Sequence, residues 1–153
     1  MTRVKDHRKV LIAASEPPTR KEVLDRLSLH DYRAIAVERG SDALLAVAEE
    51  NIGLVILDIS IQEPSGAKTV EIIRKMRPRL PVIVLSSDHS VEAGRQILQH
   101  GVFYYLLRPL DLEELDQIVR IALAPNKQLK AGMVQGAPKT RMGEEKEEKG
   151  AVS

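Results

Sequence analysis

The chain has 153 residues and a formal net charge of +1, long enough for one domain with a real core and too balanced in charge to argue for nucleic acid or a membrane surface as partner. It holds no cysteine, which removes disulfides, thiolate metal sites and a cysteine nucleophile together, and its four histidines, His7, His30, His89 and His100, lack metal-ligand spacing and are expected at the surface. The charged amino terminus has no apolar signal core and no stretch approaches the roughly 18 to 20 apolar residues of a membrane span, so a soluble, cytoplasmic protein is expected.

Residues 9–14, KVLIAA, read as a first buried strand. In SEPPTRKEVLDRLSLH, Pro17 and Pro18 suit a helix start, and Val23, Leu24 and Leu27 recur at helical spacing. A short strand is expected over Arg33–Val37. Gly40 and Ser41 follow, with Ser41 placed to cap a second helix whose apolar stripe is Leu44, Leu45, Val47 and Ala48. Residues 53–58, GLVILD, are the pivotal stretch. Leu54 to Leu57 are apolar on both faces, as in the middle of a parallel sheet covered by helices on each side, and the run ends abruptly in Asp58.

After a loop with Pro64 and Gly66, a third helix carries Val70, Ile73 and Met76 on one face and stops before Pro78. Residues 81–86, PVIVLS, form a fourth strand, and Asp88 to His100 a helix closed by Gly101 as a left-handed cap. Residues 102–107, VFYYLL, are the fifth strand, ended by Pro109. Asp111 then opens a capping-box variant ahead of Leu115, Ile118, Val119 and Leu123.

Five strands alternating with five helices predict a doubly wound α/β domain with right-handed crossovers over residues 1–124. Its core should contain Leu11, Ile12, Val55, Ile56, Leu57, Val82, Ile83 and Val84. Residues 125–153, broken by Pro125, Gly132, Gly136, Pro138 and Gly143 and ending in GEEKEEKG, are expected to be a disordered charged tail. Asp58 falls at the carboxyl end of the central strand, where open α/β sheets place ligands and chemistry. An aspartate there also serves as a turn or cap residue, accepting nearby backbone N–H groups.

The ordered set of five strand-helix units, Asp58, Gly66 eight residues later, Ser86 after the fourth strand, and Arg108-Pro109 before DLEEL resembles the response-regulator receiver domain over about residues 8–124. The resemblance implies a flavodoxin-like sheet in the order 2-1-3-4-5. It implies that Asp58 accepts a phosphoryl group from a histidine kinase with help from Mg²⁺, while a hydroxyl, here Ser86, and a basic residue, here Arg108, hold the phosphoryl oxygens. Tyr105 would report the change to a face formed by the fourth helix, fifth strand and fifth helix.

The sequence also departs from that family. A carboxylate attacking a phosphoryl group is one anion approaching another, so cations must neutralise the charge on the equatorial oxygens. The family holds its metal with an acidic pair directly after the first strand, and here that place reads Ala14-Ser15. Glu16 and Glu63 are the candidates to join Asp58 as metal ligands, although a one-residue displacement at a strand end turns the side chain away. The family's lysine is replaced by Arg108, a permanently protonated fork suited to bidentate pairing with a carboxylate. Arg108 is expected to pair with Asp58 and to take over the neutralising role; otherwise it caps nearby carbonyls.

Smaller departures concern the surrounding loops. Gln62 stands where the family usually has proline, so the loop after Asp58 should take a different path. Ser86, beside Ser87 and Asp88, is either a phosphoryl-binding hydroxyl or a helix-start residue. The Arg108-Pro109 bond is cis in the family's counterpart, and sequence decides neither isomer. Alternation sends Tyr104 and Tyr105 to opposite faces, one packed inward and the other available to a partner.

The expected function is a receiver-like signalling protein that has lost ordinary phosphorylation, needs no cofactor, and binds a protein partner through the fourth helix, fifth strand and fifth helix. The alternative is a working phosphoacceptor served by a histidine kinase, with Mg²⁺ held in an unusual site. A nucleotide-binding enzyme fares badly, because ASEPPTR offers no glycine-rich cradle and its two prolines remove backbone donors. No Ser-His-Asp or metal triad is evident, so no enzymatic activity is expected. Nor is an attached DNA-binding effector, and the molecule should be a monomer or a weak homodimer.

Overall fold

All seven residues of the strand Ile52–Asp58 are buried, which only the middle of a sheet covered on both faces allows. The computed structural model describes residues 7–125, so the expected tail lies, apart from Pro125, outside the described residues. In chain order the elements are β1 (Lys9–Ala13), α1 (Pro17–Ser28), β2 (Arg33–Val37), α2 (Gly40–Glu49) and β3 (Ile52–Asp58). They continue as α3 (Gly66–Met76), β4 (Val82–Ser86), α4 (Val91–Leu98), β5 (Tyr104–Leu107) and α5 (Leu112–Leu123). Every strand pair is parallel and the order is β2-β1-β3-β4-β5, the doubly wound, flavodoxin-like arrangement.

The two-residue period of the strands divides the core into two layers. Leu11, Val55, Leu57, Val82 and Val84 pack with Ala43 and Val47 of α2, Val70 and Ile73 of α3, and Ile97 of α4. Val10, Ile12, Leu54, Ile56 and Ile83 face Val23 and Leu27 of α1 and Leu115, Ile118 and Val119 of α5. All eight residues expected in the core are fully buried. Each such side chain contributes about 1.5–3 kcal/mol relative to exposure, so the sheet is a rigid base for whatever its strand ends carry.

Several boundaries differ from the sequence reading. Ser41 does not cap α2: the helix begins at Gly40, and Arg39 occupies the cap position without a side-chain bond. The loop after β3 supplies the acceptors instead, Gly40 N–H donating to the Gln62 carbonyl at 2.9 Å and Ser41 N–H to the Glu63 carbonyl at 2.7 Å. The buried face of α2 is Gly40, Ala43, Ala46 and Val47, while Leu45 and Ala48 are exposed, because small residues let the helix approach the sheet and α3 closely. On α3, Met76 is exposed, unlike Val70 and Ile73. Helix α4 starts at Val91, later than expected, with Ser90 Oγ accepting from Ala93 N–H. Gly101, with φ of 77°, follows α4 in the left-handed conformation expected of it, and Asp111 caps α5 through Glu113 N–H and Glu114 N–H.

Helices α1 and α5 are tied by Arg26, whose Nε and Nη2 donate to Asp116 Oδ2 at 3.0 and 2.6 Å, with His30 Nε2 3.3 Å from the same oxygen. The bond from Arg26 holds the Asp116 carboxyl below the usual carboxylate range. A carboxyl whose folded pKa lies below its unfolded value stabilises the fold above the unfolded pKa of about 3.9 and loses that contribution as pH falls through the folded pKa. Asp116→Asn should therefore be less stable than the wild type near neutrality, and the gap should close below about pH 4 in urea titrations at stepped pH.

Candidate functional site

The carboxyl ends of β3, β4 and β5 bring Asp58, Ser86 and Arg108 around one crevice of about 470 Å³, with Glu16 and Thr19 at the start of α1 on its other side. Asp58 is only 5% exposed, and both its oxygens are engaged. Oδ2 accepts from Arg108 Nη2 at 2.8 Å, while Oδ1 accepts from Ser60 N–H at 2.9 Å and from Ser60 Oγ at 2.7 Å. Asp58 thus joins the two roles its sequence position left open: it faces the crevice and also closes the turn that follows β3.

Arg108 reaches Asp58 from β5, but not as the two-pronged fork expected of it. The same Nη2 that donates to Asp58 also donates to Thr19 Oγ1 at 2.9 Å, so one nitrogen ties β3, β5 and α1 together. Thr19, buried on the first turn of α1, draws the guanidinium sideways and leaves the carboxylate a single partner from it. The Arg108 backbone is fixed by donation from its N–H to the Ser86 carbonyl at 2.9 Å, and the Arg108-Pro109 bond is cis.

A second guanidinium covers the end of β1. Arg20 Nη1 donates to the Ala14 carbonyl at 2.6 Å and to the Ser15 carbonyl at 3.2 Å. Sequence reasoning missed Thr19 and Arg20, since one hydroxyl and one arginine on a helix start carry no signal before the helix is placed against the strand ends. Glu16, exposed at the cap position of α1, does line the crevice. Glu63 does not: its carbonyl is bonded to α2, its φ is 62°, and it lies away from the crevice lining. Among the described residues no group of three or more His, Cys, Asp and Glu side chains is placed to hold a metal ion.

Ser86 is 1% exposed and its Oγ accepts from Asp88 N–H at 3.0 Å, so this hydroxyl lines the crevice while starting the turn toward α4. Tyr104 and Tyr105 do point to opposite faces, but both are buried, at 2% and 4% exposure, which corrects the expectation that one is available to a partner. Their hydroxyls explain this. Tyr105 OH donates to the Asp88 carbonyl at 2.9 Å beneath Gly94 of α4, and Tyr104 OH donates to the Glu114 carboxylate on α5. Burial pushes the Tyr105 phenol up from its ordinary value. His89, on the loop before α4, has its Nε2 2.9 Å from the Arg108 carbonyl.

The family model described as the response regulator receiver domain matches residues 10–120. The chain belongs to this family. It is 31% identical over 114 residues to the transcriptional regulatory protein GlrR of Escherichia coli, covering 74% of this chain and 26% of GlrR. To the regulatory protein AtoC of Escherichia coli it is 30% identical over 115 residues, covering 75% of this chain and 25% of AtoC. This receiver domain therefore spans about a quarter of the length of the curated relatives it matches. A solved response regulator receiver protein from Pseudomonas putida superimposes with a TM-score of 0.72 at 29% identity, covering 77% of this chain and 99% of that one. No helix among the described residues is long and apolar enough to cross a membrane.

Proposed function

We propose that this receiver domain signals by binding a protein partner and that Asp58 is not an ordinary Mg²⁺-dependent phosphoacceptor. The observation that carries the reading is the engagement of both Asp58 oxygens, by Arg108 on one side and by Ser60 on the other. Three of the four lone-pair sites of the carboxylate are then taken, leaving one on Oδ2 beside Arg108, and the cation that should meet the phosphoryl oxygens is bound to the carboxylate itself.

The donor set does not fit Mg²⁺. The ion takes near-octahedral oxygen ligands, usually including one or two carboxylates. The end of β1 carries an alanine and a serine in place of carboxylates, with their carbonyls bonded to Arg20, and the Arg108 guanidinium lies against Asp58 where a divalent cation would approach it. The output surface in this reading is the α4, β5, α5 face, where Val91 is exposed at 57%, and the domain acts without enzymatic activity, in the cytoplasm, as a monomer or weak homodimer. A histidine kinase is a candidate partner by docking rather than by transfer.

The second reading, a phosphoacceptor with an unusual metal site, draws its support from Glu16, which lines the crevice beside Asp58. Intact-mass measurement after incubation with acetyl phosphate, with and without Mg²⁺ and alongside Asp58→Asn, separates the two. No mass gain is expected under conditions that fully modify an ordinary receiver. A labile gain of one phosphoryl group that needs both Mg²⁺ and Asp58 would replace the first reading with the second.

A further inference from the structure

We propose that the opposite end of the sheet carries a second ligand site, one that takes a small molecule bearing a phosphate group and an apolar body. Ile52 and Asp58 begin and end β3, which puts this site about 20 Å from the crevice at the rise of a parallel strand. A cleft of about 420 Å³ opens there, within the range that holds small ligands. Three arginines line it, Arg8, Arg77 and Arg79, and among the described residues no aspartate or glutamate does.

Two of these cations are fixed around the start of β3. Arg77 Nη2 donates to the Ile52 carbonyl at 3.1 Å, which uses one of the five N–H donors of its guanidinium. The stem of Arg8 lies across Gly53, where an added Cβ would stand 2.8 Å from Arg8 Cδ, and its Nη2 donates to the Leu123 carbonyl at 2.7 Å. Glycine at 53 is what lets that side chain lie down on the strand. Arg79 stands exposed at the rim with no hydrogen bond or ion pair among the described residues.

Beside the cations, Met76 is 38% exposed at the end of α3 and Pro78 follows it, giving the cleft an apolar wall. Guanidinium groups match phosphate oxygens by paired, charge-assisted hydrogen bonds, and the wall suits an organic substituent rather than a bare ion.

The test is titration of the full chain with phenyl phosphate and, separately, with inorganic phosphate at constant ionic strength, followed by amide and arginine Nε resonances. Saturable shifts are expected at Asn51, Gly53 and Arg79, with Ser60 and Ser86 unmoved and phenyl phosphate binding more tightly than inorganic phosphate. Arg79→Ala, at an exposed side chain whose loss leaves the fold intact, should weaken binding about tenfold, the loss of one charge-assisted bond, while Arg95→Ala on α4 should not change it. Shifts that rise without saturation, that chloride reproduces, that favour Ser60 and Ser86, or that survive Arg79→Ala unchanged would overturn the site. Equal affinity for the two phosphates would overturn its apolar half.

Discussion

Arg108→Ala is expected to lower stability by about 3 kcal/mol, the low end of what breaking a buried pair costs, because it leaves the Asp58 carboxyl group, 5% exposed, with one fewer partner. The low end is chosen for two reasons. Ser60 still donates twice to Oδ1, so the carboxylate is not bare, and the Arg108 side chain is itself 23% exposed and partly hydrated. The substitution also takes away the bond to Thr19 Oγ1 and removes a side chain that ties α1 to β3 from the end of β5. Urea denaturation at neutral pH reads the effect.

Companion variants separate the pair from its parts. Asp58→Asn should cost less than Arg108→Ala, since the guanidinium it leaves behind can turn toward water. The double variant should be less destabilised than the sum of the two, with a coupling of about 1 kcal/mol or more for groups in direct contact. Arg108→Lys keeps the charge on a shorter side chain, whose ammonium falls short of the Nη2 position that meets both Asp58 and Thr19, and a modest loss is expected. If Arg108→Ala stays within about 0.5 kcal/mol of the wild type, the contact has the weight of a surface ion pair and does not restrain Asp58.

The sheet was legible because parallel strands buried on both faces must be apolar almost throughout, and runs such as Leu54 to Leu57 state that without reference to any partner. Asp58 was legible for a related reason, as the polar residue that ends the most buried strand. What was not legible depends on contacts distant in sequence. Ser41 looked like a cap, yet the acceptors for the start of α2 come from Gln62 and Glu63, about twenty residues on. Of the stripe expected on α2, Leu44, Leu45, Val47 and Ala48, only Val47 is buried, and the close approach adds Ala43 and Ala46. Alternation left one of Tyr104 and Tyr105 available, yet both are buried, the Tyr105 ring lying against Gly94 of α4. The Arg108 and Asp58 contact was foreseen from charge balance, but its sharing with Thr19 required the position of α1.

Gly66→Ala should cost about 3 kcal/mol, at the upper end of what an overpacked site loses, because the added methyl meets backbone rather than side chain. A Cβ at Gly66 would stand 2.2 Å from the Ile59 carbonyl oxygen and 2.8 Å from Ile59 Cα. Ile59 has little freedom to retreat, since its N–H donates to the Leu85 carbonyl at 2.9 Å and so holds the residue after β3 against β4. The start of α3 must move instead, against the cap in which Ser65 Oγ accepts from Lys68 N–H at 3.2 Å. Gly94→Ala provides the contrast: its Cβ would lie 3.1 Å from Cε2 of Tyr105, a ring that can shift by a few tenths of an ångström, and a loss below about 1 kcal/mol is expected. Because Ser60 lies between Ile59 and the displaced helix, Gly66→Ala should also move the Ser60 amide resonance, the group that donates to Asp58 Oδ1. A full loss of stability with Ser60 unmoved would place the strain in α3 alone, whereas both changes together would mean that the glycine eight residues after Asp58 sets the turn that holds its carboxylate.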